Sequence, residues 1–580
     1  MDRAAVAFSL HGLPIGGGVA IGRALVLQQH GQDVARYRLA DEAAVADERR
    51  RLAEAFETVR AELAELGAEL PLAAPPEARA LLEVHALILA DPMLADAADA
   101  MVHGERWNAE WALWTQAGAL SEQFEALGDD YLRERGRDVR QVVDRVLKVL
   151  TGNARRTPSH ADMSAAEPTI VVADDISPAD LLHWRAADAF CIDLGGATSH
   201  TAILARSFGR PAVIGLGAAR EAVREGDLVI VDGDTGTLIV SPDAAALALY
   251  RERQRASAAA AADLRRLVGV RARTRDGVDV TLHANVELPA EAAPARDAGA
   301  EGIGLMRSEF LFLGRDEPPD EDEQFEAYAE AVRAMDGRPV TIRTVDVGAD
   351  KALPHDALTQ QLASANPALG RRAIRLCLAE PDFFLTQLRA ILRASACGPV
   401  RLLLPLLSSA EEVHESLRLI ARARRQLADA GMPMAERLPV GGMIEVPAAA
   451  IMASWFARRL DFLSIGTNDL IQYTLAIDRT DDAVAAMYDP RHPAVLRLIA
   501  GTIAAADRAG IPVAVCGEMA GDPAFAPLLI GLGLREFSMD ASQLLRVKEA
   551  VLRTDARQAR QDAPRVLRGF PARRGQAATR

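Results

Sequence analysis

The chain of 580 residues is poor in aromatic side chains and in cysteine. Aromatic residues make up 4 % of the sequence while half of it is hydrophobic, so aliphatic side chains must fill its cores. The four cysteines contain no CxxC pair, and their spacing fits neither a disulfide framework nor a zinc site. They are Cys191, Cys377, Cys397 and Cys516.

Long hydrophobic runs and excess positive charge are also missing. The sequence has no apolar run of about 18 residues, and no signal-peptide pattern precedes the first predicted strand. The net charge of −15 argues against a nucleic-acid-binding protein, which would need a basic surface. We therefore expect a soluble cytoplasmic protein with no nucleic-acid partner and no membrane insertion.

The first half of the chain changes its periodicity twice. Residues 12–27 predict a glycine turn followed by a strand. The glycines of this segment are not followed by the Lys-Ser/Thr pair of a phosphate-binding P-loop. The period is helical from residue 40 to 152, which predicts a bundle of about four helices. Strand signals then return. This pattern predicts an α/β domain formed by residues 1–39 and 153–242, with the helical bundle of residues 40–152 inserted into it.

The second half alternates regularly between strand and helix patterns. An alanine-rich helix over 243–268 links the halves. Eight strands, the first seven each followed by a helical pattern, predict a (β/α)₈ TIM barrel over 269–555. Residues 556–580 lack apolar periodicity and are predicted to form a loose basic tail. The predicted strands cover 280–287, 302–309, 339–346, 400–407, 439–445, 462–469, 512–518 and 536–540.

One histidine follows a glycine turn in the run GGATSHTAILAR, residues 195–206. The preceding residues 189–192 predict a buried strand, and Thr198 or Ser199 can cap the helix that follows. A helix N-terminus offers free N–H groups and a positive dipole end, which disfavours imidazolium and welcomes an anion. An isolated histidine usually only caps or packs. This context instead favours a neutral His200 that accepts a phosphoryl group.

This run resembles the phosphohistidine motif of the phosphoenolpyruvate-utilising enzymes, and residues 201–207 are most similar to enzyme I of the bacterial phosphotransferase system. In that family the matching histidine takes phosphate from phosphoenolpyruvate, releasing pyruvate, and passes it to the carrier HPr. The resemblance implies that His200 is the phosphohistidine, that the enzyme uses Mg²⁺ and that the barrel forms a homodimer. It also implies HPr docking on the helical insert, for which a plain structural insertion stays open as the alternative.

Charged and polar residues lie at the carboxyl ends of the predicted barrel strands, where barrel enzymes carry their chemistry. Apolar or small residues would suffice for stability alone. Two guanidinium groups can bind a compact phosphate- and carboxylate-bearing ligand, and two carboxylates fit a Mg²⁺ shell completed by substrate and water. The residues are Arg307, Arg343, Glu445, Asn468, Asp469 and Cys516.

The resemblance assigns a role to each of these positions. Arg307 and Arg343 match the phosphate-binding arginines, Glu445 and Asp469 match the magnesium ligands, and Asn468, Asp469 and Arg479 match further substrate contacts. Cys516 matches the family's proton donor to the enolate. From the residues alone, a lone cysteine is usually a small buried hydrophobe, but the position of Cys516 at a strand end, between Val515 and Gly517, points to the barrel mouth instead.

Two other functions stay open at this point. A dikinase or phosphoenolpyruvate synthase shares a histidine domain and a barrel, but it needs a large ATP-binding domain before the histidine, where this chain has only the helical insert. A non-catalytic regulatory docking protein could keep the fold, and the intact set of site residues speaks against it. Whether the phosphate relay would feed sugar uptake or a regulatory branch also stays open.

Overall fold

The computed structural model describes residues 7–27, 34–69, 76–126, 130–152, 168–176, 184, 187–195, 202, 205, 210–312, 317–347, 366–478, 484 and 487–567. The chain divides into two compact units, Met1–Ala260 and Ala261–Arg580. No helix in these described ranges is long and apolar enough to cross a membrane.

The first unit contains an eight-stranded sheet in the order β1-β8-β7-β3-β4-β5-β6-β2. The strands β3 to β6 run parallel, and antiparallel strands extend the sheet on both sides. The central strands β4 and β5 are buried almost throughout, which explains their unbroken apolar sequences. The strands are β1 (Phe8–His11), β2 (Leu13–Gly16), β3 (Val19–Val26), β4 (Thr169–Ala173), β5 (Ala189–Ile192), β6 (Ala212–Ile214), β7 (Leu228–Asp232) and β8 (Thr237–Val240).

A helical bundle is inserted between β3 and β4, which confirms the prediction of an interrupted α/β domain. The stretch over residues 76–103 forms two helices, because the Asp91 carboxylate accepts the amide of Met93 and Pro92 opens a new first turn. The five helices are α1 (Glu42–Glu69), α2 (Pro76–Ala90), α3 (Pro92–Glu105), α4 (Ala109–Ala126) and α5 (Asp130–Leu150).

In the part of this unit that the structure describes, the elements outside the sheet and the insert include the short helix α6 (Ala219–Ala222) and the linking helix α7 (Ala244–Arg265). Arg253 on α7 donates to the buried carboxylate of Asp232 at the end of β7, with Nη1 and Oδ2 2.6 Å apart. This ion pair ties the linking helix to the sheet of its own unit.

The second unit is a closed barrel of eight parallel strands, with β16 pairing back onto β9, as the sequence predicts. The strands are β9 (Thr281–Val286), β10 (Ile303–Arg307), β11 (Val340–Arg343), β12 (Val400–Leu404), β13 (Val440–Ile444), β14 (Phe462–Ile465), β15 (Val513–Val515) and β16 (Glu536–Asp540). The helices are α8 (Ala292–Asp297), α9 (Glu321–Ala334), α10 (Ile374–Ala379), α11 (Pro381–Ala394), α12 (Ala410–Asp429), α13 (Pro447–Ile451), α14 (Ala453–Phe456), α15 (Thr467–Leu475), α16 (Pro493–Ala509), α17 (Glu518–Gly521), α18 (Ala526–Leu532), α19 (Leu544–Arg553) and α20 (Ala556–Leu567).

Most barrel strands end earlier than the sequence predicts. The strand predicted over 462–469 ends at Ile465, so Asn468 and Asp469 lie in the first turn of α15. Glu445 likewise follows the last residue of β13. The strand-like sequence patterns therefore extend past the ends of the strands, into residues that lie at the barrel mouth.

The sequence predicts a loose tail over residues 556–580. Residues 556–567 of this segment instead form the helix α20. Ala556 on this helix belongs to the barrel core, Leu567 packs against that core, and Ala563 is also buried. Gly531 of α18 allows close approach, since a Cβ there would lie 2.4 Å from the carbonyl oxygen of Ala559. The helix places Ala556, Ala559 and Ala563 at helical spacing between charged residues, so the prediction of a tail without apolar periodicity was wrong.

A glycine inside the barrel provides a test of its packing. A Cβ on the buried Gly304 would lie 2.4 Å from the Ser538 hydroxyl oxygen and 2.9 Å from the His283 Cβ. We expect Gly304→Ala to lower the free energy of unfolding by about 1–3 kcal/mol because of overpacking. Gly118→Ala in α4, where no atom lies within 4 Å, should be neutral or stabilise by up to about 1 kcal/mol. Urea unfolding measures both, and equal effects would contradict the packing described here.

Candidate active site

A cavity of about 150 Å³ opens at the carboxyl-terminal end of the barrel. Six residues selected from the sequence line this one cavity, together with residues that the sequence analysis missed. The lining residues are Leu305, Arg307, Glu309, Phe310, Arg343, Asp346, Arg372, Met443, Glu445, Gly466, Asn468, Asp469, Cys516 and Gly517.

Arg343 is the last residue of β11 and is 8 % exposed. Its Nη2 donates to the Glu309 carboxylate, and its Nη1 lies 3.1 Å from Asp346 Oδ2. Burial disfavours the charged guanidinium, but Glu309 and Asp346 outweigh burial and raise the pKa of Arg343. The side chain is therefore a permanent cation facing the cavity.

Arg372 is a second cation of the cavity, partly buried, that the sequence analysis missed. Its Nε and Nη2 donate to Asp346 Oδ1 at 3.2 and 2.9 Å, and Nη2 lies 3.7 Å from Asp469 Oδ2. Asp346 thus bridges Arg343 and Arg372. Arg372 follows a loop rather than a strand, so the strand-end rule does not select it. Asp346 stands three residues after Arg343, and that spacing could have indicated it.

Arg307 is the third arginine of the cavity and the most exposed one. It is the last residue of β10, and its Nη1 donates to Glu287 Oε1 at 2.5 Å. Glu287 follows β9, the neighbouring strand. The pair holds the guanidinium at the cavity rim, where 36 % of the arginine side chain is exposed.

Glu445 is 2 % exposed and accepts the amide N–H of Leu406 at 2.6 Å. Leu406 has a φ of 52°, a strained conformation for leucine that aims this amide at the carboxylate. Burial, and then the carboxylates of Asp469 and Asp346, raise the pKa of Glu445 to about 8. The anion of Glu445 therefore lacks full compensation from the chain's own cations.

Asn468 and Asp469 enter the cavity from the first turn of α15. The Asn468 amide is fixed by two bonds to Glu518: its Nδ2 donates to Glu518 Oε1 at 3.0 Å, and its Oδ1 accepts the Glu518 backbone N–H at 2.9 Å. Asp469 is 9 % exposed.

Cys516 directly follows β15 and is buried, among Leu305, Leu403, Met443 and Phe462. The Ser464 hydroxyl donates to its Sγ at 3.2 Å, and Sγ donates to the Ile465 carbonyl at 3.6 Å. Burial raises the pKa of the Cys516 thiol to about 11, although Ser464 opposes this shift. The thiol therefore keeps its proton at neutral pH.

Two predicted site residues, His200 and Arg479, lie outside the described residues. The strand β5 that leads towards His200 is present as predicted.

The cavity suits an anion bound together with a cation. Its described lining carries three arginines and four carboxylates: Arg307, Arg343, Arg372, Glu309, Asp346, Glu445 and Asp469. Three guanidinium groups fit a compact anion with several oxygens. Glu445 and Asp469 offer hard oxygen donors of the kind Mg²⁺ takes, and Mg²⁺ usually keeps water or substrate oxygens as further ligands. Glu445 and Asp469 therefore fit a Mg²⁺ ion held by two carboxylates; within the described ranges no group of three or more His, Cys, Asp or Glu side chains could enclose a metal by itself.

Comparison with known proteins identifies the family of the chain. Three family models of phosphoenolpyruvate-utilising enzymes match the chain: the N-terminal domain over residues 11–135, the mobile domain over 165–236 and the phosphoenolpyruvate-binding domain over 261–556. The phosphoenolpyruvate-protein phosphotransferase of Cupriavidus necator is 53 % identical over 99 % of both chains. Proteins of the same name from Geobacillus stearothermophilus and Bacillus subtilis are 41 % and 38 % identical, over 93 % and 96 % of this chain and 92 % and 96 % of their own. The chain therefore belongs to the phosphoenolpyruvate-utilising enzymes and, within them, to the phosphoenolpyruvate-protein phosphotransferases.

Proposed function

We propose that the chain transfers the phosphoryl group of phosphoenolpyruvate to His200 and from there to the carrier protein HPr, releasing pyruvate. One observation carries the proposal: three arginines, two buried carboxylates fit for Mg²⁺ and a protonated thiol line one cavity of about 150 Å³. Each group has a task in this reaction. Relatives with this name cover the whole chain, so a dikinase or synthase is not favoured.

The arginines bind and orient the substrate. Phosphoenolpyruvate carries a phosphate and a carboxylate on a small frame, and planar guanidinium groups bind both without losing charge at any working pH. Arg307 and Arg343 end adjacent strands as a register pair, which places two cations side by side. We propose Asn468, Asp469 and Arg479 as further substrate contacts.

Glu445 and Asp469 would hold a Mg²⁺ ion. Burial and the carboxylates of Asp469 and Asp346 raise the pKa of Glu445, so a cation at this place would stabilise the ionised form of Glu445 and add positive charge for an anionic substrate. When bound, Mg²⁺ neutralises phosphoryl oxygens as the phosphorus–oxygen bond to the enol breaks. The ion pairs within the cavity hold the arginines in place, so that their guanidinium groups can stabilise the same negative charge on the phosphoryl oxygens.

His200 attacks phosphorus and forms the phosphoramidate. At the same time the P–O bond to the enol oxygen breaks, and its electron pair stays on that oxygen as the enolate. Catalysis of this transfer is chiefly positioning and charge stabilisation. The enolate then takes a proton at its methylene carbon from the Cys516 thiol. Because burial keeps that thiol protonated at neutral pH, it can serve as a general acid.

We further propose that HPr docks on the helical insert formed by α1 to α5, that the enzyme is a cytoplasmic homodimer assembled through the barrel, and that His200 alternates between cavity and carrier. The family resemblance supports these proposals.

The histidine assignment is tested by labelling. Wild-type enzyme given Mg²⁺ and phosphoenolpyruvate labelled in its phosphate should form an acid-labile, base-stable phosphoramidate, and His200→Ala should take up no label. His103→Ala, which changes an exposed histidine of α3, should label like wild type. Label retained in His200→Ala would show that another group accepts the phosphate.

The metal assignment is tested by neutralising either carboxylate. Glu445→Gln or Asp469→Asn should slow labelling from phosphoenolpyruvate by at least about a hundredfold, since a bound metal supplies several kcal/mol of charge stabilisation. Glu415→Gln, at an exposed carboxylate paired with Arg418, is the control. Full activity after thorough EDTA treatment would rule out the metal.

The proton-donor role is tested with Cys516→Ala. Pyruvate formation should slow tenfold or more, which corresponds to a barrier about 1.4 kcal/mol higher, while phosphoenolpyruvate still binds. Cys397→Ala, at the partly exposed cysteine beside Arg333, should behave as wild type. An unchanged rate in Cys516→Ala, measured where chemistry limits turnover, would leave Cys516 with a packing role only.

A further inference from the structure

A buried polar network lies behind the arginine-bearing strand ends, between β10, β11 and the helix α11. The last register pair between the two strands is Arg307 and Arg343. One residue further, the Ser308 hydroxyl donates to the carbonyl oxygen of Arg343 at 2.7 Å. Ser308 is fully buried, while its neighbours Arg307 and Glu309 line the cavity. The Ser308 side chain therefore links the ends of β10 and β11 beyond the last backbone pair between the two strands.

Gln387 of α11 joins both strand ends. It is fully buried, its Oε1 accepts the amide N–H of Val345 at 2.9 Å, and its Nε2 donates to Ser308 Oγ at 3.0 Å. Val345 lies between the cavity residues Arg343 and Asp346. One amide group thus contacts the segments that carry Arg307 and Glu309 on one side, and Arg343 and Asp346 on the other.

The hydrogen-bond directions in this network are fully determined. Gln387 Nε2 also donates to the Tyr328 hydroxyl at 3.0 Å, which in turn donates to Gln324 Oε1 at 3.4 Å. Ser308 accepts from Gln387 and donates to Arg343. Turning the Gln387 amide over would set its NH₂ group against the Val345 N–H, leaving two donors facing each other. Only one orientation satisfies every group.

Burying an amide between barrel strands and their helices is costly unless all its hydrogen bonds are made. An apolar side chain at this place would leave the buried Val345 N–H without its acceptor. The amide of Gln387 therefore ties the segments after β10 and β11 to one another as well as filling the space between them.

We propose that Gln387, acting through Ser308, is a positioning residue that holds Arg307 and Arg343 at the spacing phosphoenolpyruvate binding requires. This rests on the proposed function of the cavity. A misplacement of about 1 Å at a reacting group can cost on the order of a hundredfold in rate, so a relay remote from the substrate can still control catalysis.

The test uses full-length enzyme with Gln387→Met, which keeps the size of the side chain and removes its hydrogen bonds. We expect kcat/KM for phosphoenolpyruvate to fall about tenfold or more, chiefly through KM, at temperatures well below the melting temperature. Gln426→Met is the matched control, because Gln426 on α12 accepts from Arg389 of the same helix α11 at 3.0 Å and contacts neither strand end. It should leave KM within about twofold of wild type.

Ser308→Ala supplies a second, smaller change in the same relay. It should raise KM in the same direction, and the double variant should be no worse than Gln387→Met alone, because both changes break one path. Variants that melt earlier but keep the wild-type KM and kcat would overturn the proposal, as would fully additive effects.

Direct calorimetry of phosphoenolpyruvate binding separates this proposal from the proposed function. Wild-type enzyme that binds the substrate, with Gln387→Met binding equally well, would overturn only the positioning role. Wild-type enzyme that neither binds nor becomes labelled would overturn both.

Discussion

The barrel mouth depends on cations and carboxylates that neutralise one another out of water. Each arginine of the described lining is paired: Arg307 with Glu287, Arg343 with Glu309 and Asp346, and Arg372 with Asp346. For the buried Arg343, loss of a carboxylate partner would be strongly destabilising, on the order of 3–5 kcal/mol. The pairing therefore comes first, and the substrate must fit an arrangement that the chain already holds.

Backbone strain occurs at two points that serve this arrangement. Leu406, with φ 52°, presents its amide to Glu445, and Ala373, with φ 50°, directly follows Arg372. Non-glycine residues in this region persist only where surrounding contacts fix them. The amide of Ala373 donates to the carbonyl oxygen of Val347 at 3.1 Å, which holds the Arg372 segment against the end of the β11 segment. These two strained backbone positions therefore help to place the carboxylate of Glu445 and the guanidinium of Arg372 in the cavity.

The sequence carries most of the fold, because strand–helix alternation and the jump to helical periodicity are local signals. The same logic selects Arg307, Arg343, Glu445, Asn468, Asp469 and Cys516, since the carboxyl ends of parallel strands meet at one edge. The sequence pattern wrongly places Asn468 and Asp469 in a strand, whereas both residues lie in the first turn of the helix α15.

What the sequence does not indicate depends on tertiary contacts. Arg372 reaches the cavity from a loop, and Gln387 reaches the strand ends from an otherwise apolar helix face. Helix α20 carries its apolar spacing chiefly on small alanines, and only the packed structure identifies them as a contact face. Partners of this kind are set by the three-dimensional neighbourhood, which no spacing along the chain records. The roles of His200 and Arg479 stay predictions from the motif and the resemblance.

The neighbouring carboxylates of Glu445 and Asp469 have a thermodynamic consequence for the proposed reaction. Asp469 contributes to the raised pKa of Glu445, so a cation held by the two carboxylates would relieve the repulsion between them. The same cation would raise the affinity for phosphoenolpyruvate, because it adds positive charge beside the anion. By linkage, the substrate must then raise the affinity for the cation by the same factor. Each ligand would bind more weakly alone than together with the other, and transfer to His200 would start from the ternary complex.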